Sequence, residues 1–149
     1  MDRRGTPRRV PRSDMATSEF VPGNYTVLVV DSNPGDSAVL RALLERTGYH
    51  TRSFSSGEAL LRDISDCSGN LCVIAEVELP GMTGLELASR LREDNITAPT
   101  VILTRLGDVR TAVSAMRSLV ADYLTKPFVE RELIERLRCA LLRQPPRLH

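Results

Sequence analysis

The chain has 149 residues, 42% of them hydrophobic, and a formal net charge of +1. That suits one domain of ordinary size with tails, supplies enough apolar residues for a core, and argues against a general nucleic-acid binder. No apolar run approaches the roughly 18–20 residues of a membrane helix, and the N-terminus lacks a signal-peptide core, so membrane insertion and export are not expected.

In chain order, residues 1–24 come first, with Arg3, Arg4, Arg8, Arg9 and Arg12 among Pro7, Pro11 and Pro22. With little apolar periodicity, this stretch is expected to be a disordered tail, and Met15 offers an alternative translation start. Tyr25 to Val30 reads as a short buried strand. Asn33 is placed to cap a helix with Pro34 at its first position and Asp36 in its first turn. Leu40, Leu43, Leu44 and Thr47 line one face of it, and Gly48 ends it.

Tyr49 to Phe54 reads as a second strand, and Ser56 caps a short helix reaching about Ile64. Leu71 to Ala75 is a third strand, followed by the loop Pro80-Gly81-Met82-Thr83-Gly84 and a helix over Leu85 to Arg92. Pro99 to Thr104 is a fourth strand and Val109 to Leu119 a helix. Ala121 to Leu124 is a fifth strand, and Phe128 to Leu142 the last helix, with Leu133, Leu137 and Leu141 at helical spacing. Pro145-Pro146 stops it, and residues 143–149 are expected to be a short tail with no second domain. The expected organisation is therefore one α/β domain over residues 25–142, five βα units around a parallel sheet covered on both faces.

Sites in such sheets lie at the carboxyl ends of the strands. Asp31-Ser32 follows the first strand, Glu76 the third, Thr104-Arg105 the fourth, and Thr125-Lys126-Pro127 the fifth. Of 20 basic residues only Lys126 is a lysine, which sets it apart in a chain otherwise served by arginine. Cys67, Cys72 and Cys139 have no metal-ligand spacing and form no even set, so free thiols in a reducing cytoplasm are expected.

Two acids, a hydroxyl and the lone lysine on one sheet edge resemble the receiver domain of bacterial response regulators, a CheY-like, flavodoxin-like (βα)5 fold. The segments "LPGMTGLEL", "GDVRTAVSAM" and "DYLTKPF" look most like its FixJ-type branch, and the resemblance covers about residues 25–142. In that family, an acidic pair and an Asp hold Mg²⁺, and the Asp takes a phosphoryl group from a histidine kinase. A Ser/Thr and a Lys contact the phosphoryl oxygens, and an aromatic on the fifth strand rotates inward. The resemblance assigns Thr104 and Lys126 to phosphoryl contact, Tyr123 to the switch and Asp31 to the first acid.

Three departures fall on the chemistry. Ser32 stands where the second acid should be, and Glu76 where the acceptor Asp should be. Arg105 follows Thr104 where the family has a small residue, and is expected either to cover the pocket or pair with Glu76 or Glu78, or to point away into solvent. Mg²⁺ demands hard oxygen ligands in near-octahedral geometry. Attack on a phosphoryl donor tolerates little misplacement, since about 1 Å costs on the order of a hundredfold. Mg²⁺ binding is thus expected to be weak or lost, and no catalytic residue is assigned. Glu76 reads either as fixed negative charge standing in for a phosphoryl group or as drift in a disused site. A further departure is Leu119, where the family commonly has Gly.

The expected function is an atypical receiver acting by phosphorylation-independent protein contact rather than as an enzyme. Expected partners are a histidine kinase, another regulator or an output protein. A homodimer or a docked partner is expected through the helix over 109–119, the fifth strand and the last helix. The alternatives are a phosphorylatable receiver, a receiver fragment of a FixJ-type DNA-binding transcriptional regulator, or a ligand-binding pseudo-receiver.

Overall fold

Apolar residues on both faces of each central strand dictate a sheet sandwiched between helices. The computed structural model describes residues 20–105 and 120–143. Its elements run β1 (Tyr25–Val30), α1 (Pro34–Thr47), β2 (His50–Phe54), α2 (Gly57–Asp63), β3 (Asn70–Glu76), α3 (Gly84–Glu93), β4 (Thr100–Thr104), β5 (Asp122–Thr125) and α4 (Glu130–Arg143). The five strands form one parallel sheet in the order β2-β1-β3-β4-β5.

Side chains alternate across this sheet. Val27, Val29, Cys72, Ile74 and Leu103 pack with Leu40, Leu44, Leu133 and Leu137 of α1 and α4. Leu28, Val30, Val73, Ala75 and Ile102 pack on the other side with Leu60 of α2 and Leu87 and Leu91 of α3. Two cores share one sheet, so the inner strands are apolar without a break.

Local chemistry sets the element ends. Asn33 Oδ1 accepts the Asp36 N–H at 2.9 Å and starts α1. Gly48, at φ 112°, ends it in the left-handed region that favours glycine. The Tyr49 N–H then returns to the Leu44 carbonyl, so Tyr49 lies buried in the helix cap and β2 begins one residue later than expected. Thr83 and Glu86 form a reciprocal capping box at the start of α3.

Two corrections concern extent. Residues 20–24, expected in the disordered tail, pack on the domain: Phe20 stacks on Tyr25 at 5.2 Å and lies under the Arg138 guanidinium. β3 runs through Glu76, whose backbone is in register with Leu103, so this carboxylate belongs to the ladder itself. The helix expected over 109–119, Leu119 with it, and the tail beyond 143 lie outside the described residues. None of the described helices is long and apolar enough to cross a membrane.

Candidate functional site

The parallel register brings the carboxyl ends of β1, β3, β4 and β5 to one edge. Asp31 leaves β1 with its N–H bonded to the Phe54 carbonyl, and its Oδ1 accepts the Asn33 N–H at 2.9 Å. It is 6% exposed. Glu76 ends β3 and is 9% exposed. The chain turns sharply after it: Val77 N–H donates to the Leu103 carbonyl, and Gly84 N–H returns to the Val77 carbonyl. A Cβ on Gly84 would collide with the Glu76 carbonyl oxygen, so the approach of α3 to the strand end requires glycine there.

Thr104 is buried at the end of β4, and its carbonyl accepts the Lys126 N–H at 2.7 Å. That bond pins the backbone of Lys126 beside the site, ahead of a cis peptide to Pro127. The Lys126 ammonium donates to Glu76 Oε2. It also stands 3.6 Å from Asp31 Oδ2 and 3.6 Å from Asp36 Oδ2. With 14% of its side chain exposed, it is screened from water on most sides. Low solvent access strengthens its pairs with Asp31 and Glu76, while Asp36 stands 39% exposed.

Arg105 corrects the expectation that it pairs with Glu76 or Glu78. Its Nη2 donates to Asp36 Oδ2 at 2.9 Å, and its side chain is 59% exposed. Arg105 and Lys126 thus face three carboxylates, Asp31, Asp36 and Glu76. Asp36 is the residue that sequence reasoning missed as part of the site. The sequence presents it as an acid in the first turn of a helix, yet a first-turn residue of a helix that starts at the end of β1 faces the same edge as Asp31.

Beside this group lies a pocket of about 570 Å³ between α1 and the β5–α4 loop. Leu40, Leu43, Leu103 and Phe128 line its apolar part, with Asp31, Asp36, Arg105 and Lys126 among its polar lining. Ser32 is exposed on the other side of α1 from that pocket's apolar lining, where it lines a separate one. Tyr123 is half-buried on β5 and packs against the α3-side core. The structure therefore brings Asp31, Glu76, Lys126 and the backbone of Thr104 together, adds Asp36 and Arg105, and leaves Ser32 at the margin.

The comparisons bear on family and fold. Residues 27–138 match the response regulator receiver domain model. The response regulator protein TmoT of Ectopseudomonas mendocina is 30% identical over 139 residues, 93% of this chain and 60% of that protein. TodT of Pseudomonas putida is 34% identical over 113 residues, 74% of this chain and 49% of that protein. Among solved structures, full-length FixJ from B. japonicum superposes with a TM-score of 0.74 at 30% identity, covering 81% of this chain and 59% of FixJ. The chain thus spans about half to three-fifths of the length of these relatives. The match over residues 27–138, with the fold and sheet order, places the chain in the response regulator receiver domain family.

Proposed function

We propose that this receiver domain signals by protein contact without taking up a phosphoryl group, and that Glu76 supplies fixed negative charge where a phosphoryl group would stand. The observation that carries the reading is the Lys126 ammonium seated among Asp31, Asp36 and Glu76. A receiver that takes up phosphate needs carboxylates open to Mg²⁺. Here Asp31 Oδ1 accepts the Asn33 N–H, Oδ2 lies 3.6 Å from the Lys126 ammonium, and Glu76 Oε2 is held by the same ammonium. Ser32 adds a neutral hydroxyl where a hard anionic ligand would serve. This donor set does not fit Mg²⁺: a divalent cation would have to displace the lysine from its partners. In this reading Thr104, Tyr123 and Lys126 occupy the family's phosphoryl-reading positions, and Lys126 contacts Glu76.

The test is exposure of the protein to acetyl phosphate with millimolar Mg²⁺, followed by intact mass. No added phosphate is expected. Uptake that disappears in Glu76→Gln would overturn the reading.

The contact partner is a protein: a kinase, another regulator, an output protein or a second copy. The proposed face joins the segment 109–119, which lies outside the described residues, to β5 and α4. Val129 and Leu142 leave apolar side chains 66% and 53% exposed at the two ends of α4. Sedimentation at high concentration should show a dimer, or pull-down from the native host a partner; a monomer with neither argues against this face.

A second reading is the receiver part of a longer regulator. The length of TmoT, TodT and FixJ beyond the matched region favours it. It is compatible with the first, because contact with an attached output domain is also protein contact.

A further inference from the structure

On the opposite side of α1 from the apolar pocket lies a second one of about 380 Å³, between α1 and the carboxyl end of the edge strand β2. Its lining is of a different kind. Four serines, Ser32, Ser37, Ser53 and Ser55, share it with Arg41 and Phe54. We propose that this pocket binds a small phosphomonoester, with the phosphoryl group on Ser37 and Arg41.

Ser37 is the sharpest sign. It is 7% exposed, and its backbone N–H is used by the Asn33 carbonyl. Its hydroxyl has no hydrogen-bond partner among the described residues, although it borders the pocket. A nearly buried hydroxyl at the wall of a pocket takes its hydrogen-bond partner from what fills the pocket, water or a ligand oxygen. Arg41 is pre-positioned: Nε donates to Thr51 Oγ1 at 3.1 Å and Nη2 to Glu45 Oε2 at 3.3 Å. These bonds orient the guanidinium, though the Glu45 pair is half exposed, and among the described residues they leave the Nη1 donors unused. The pocket also opens at the first turns of the 14-residue α1, where the helix dipole favours an anion.

Asp31 is the one acid in the lining, and Glu45, outside it, already pairs with Arg41 Nη2, so the ligand must draw its charge-assisted bond from Nη1. The Asp31 charge is offset by Lys126 at 3.6 Å and by the Asn33 N–H. The remaining chemistry selects the ligand class. Serine hydroxyls donate to phosphoryl oxygens, and a guanidinium supplies the charge-assisted bond that a neutral polyol does not repay. The volume lies near the low end for small-ligand sites and exceeds what inorganic phosphate fills, so room remains for a short polar organic part beside Ser53 and Ser55. The inference stands on this pocket alone and holds whether or not Glu76 takes up phosphate.

The test is a titration of the isotope-labelled full chain, followed by amide shifts, with glycerol 3-phosphate, inorganic phosphate and glycerol in parallel. Saturable shifts at Ser37, Arg41 and Ser53 to Ser55 are expected with glycerol 3-phosphate, weaker ones with inorganic phosphate, and none with glycerol. Arg41→Gln and Ser37→Ala should each weaken binding by about tenfold, the loss of one charge-assisted or buried hydrogen bond. Without ligand, Ser37→Ala should melt no lower than the parent, since it removes a hydroxyl with no partner among the described residues; lost binding then does not come from lost folding. Absence of saturable shifts, an equal response to glycerol, shifts centred on Lys126 and Arg105, or unchanged affinity in both variants would each overturn the proposal.

Discussion

Lys126 sets its ammonium against Oε2 of Glu76, 50 positions earlier in the chain, while standing 3.6 Å from Asp31. The contact is a consequence of topology. β3 and β5 flank β4 in a parallel sheet, so their carboxyl ends open side by side. Acids gathered in a partly buried site raise one another's electrostatic cost, and a cation among them removes it.

Lys126→Ala should therefore destabilise the domain by about 1–3 kcal/mol, because the acids lose their counter-charge. Adding Glu76→Gln should return part of that loss. Urea unfolding of both single variants and the double one gives the coupling directly. If the two losses merely add, Lys126 does not hold Glu76, and the idea that Glu76 stands in for a phosphoryl group loses its main support.

Topology also explains what the sequence made legible. The unbroken apolar inner strands and the Asn33-Pro34 helix start announce themselves locally, and five strands in alternation with helices leave one sheet architecture. Once the strands are placed, Asp31, Glu76, Thr104 and Lys126 fall on one edge by arithmetic. Arg105 does not yield to that arithmetic. A guanidinium on a long stem reaches in several directions, and only the packed structure shows that Asp36, not Glu76, receives it. Phe20 was missed for another reason: a lone aromatic in a polar stretch has no period, and its partners Tyr25 and Tyr49 come from two other segments.

The Arg105–Asp36 pair is exposed at 59% and 39%, so its own contribution is small. Arg105→Ala should change stability by about 0–1 kcal/mol, an effect that fades in molar salt as the pair is screened. A larger, salt-insensitive loss would mean that Arg105 packs into the site rather than spanning its rim.

Gly84 carries a steric constraint that no charge relieves. Alanine there would press its Cβ into the Glu76 carbonyl oxygen, with Ile102 Cδ1 3.2 Å away on another side. Overpacking of this kind costs about 1–3 kcal/mol. Gly23, whose Cβ would meet its nearest neighbour only at 3.8 Å, is the control, and Gly23→Ala should stay within about 0.5 kcal/mol of the parent. Comparable melting temperatures for the two variants would show that α3 can retreat from the strand end.

The thiols should separate by burial. Cys139 is exposed, Cys67 half-buried and Cys72 fully enclosed. Desolvation pushes the Cys72 thiol far above its ordinary range, so at neutral pH it holds almost no thiolate, the reactive form. Alkylation of the native protein should therefore reach Cys139 first and Cys72 only after denaturant is added. Early labelling of Cys72, read by peptide mass, would reveal local opening of β3.

Repair of the phosphorylation chemistry sets the strongest demand on the reading of Ser32 and Glu76. Glu76→Asp alone shortens the carboxylate by one methylene and restores the acceptor's reach, but it leaves the metal site with a neutral hydroxyl at Ser32. Reacting atoms must come within about 3–3.5 Å and stay aligned, and a site without its metal does not hold a phosphoryl donor there. Ser32→Asp with Glu76→Asp supplies a hard acid beside Asp31 and also frees Lys126 from the longer glutamate. The double variant should bind Mg²⁺ by calorimetry and gain one phosphoryl mass from acetyl phosphate; the single Glu76→Asp variant should do neither. Arg105 can stay in place for this test, because its guanidinium lies on Asp36 and does not pair with residue 76. Equal phosphorylation of the single and double variants would show that Ser32 is no obstacle, and that the length of Glu76 alone silences the site.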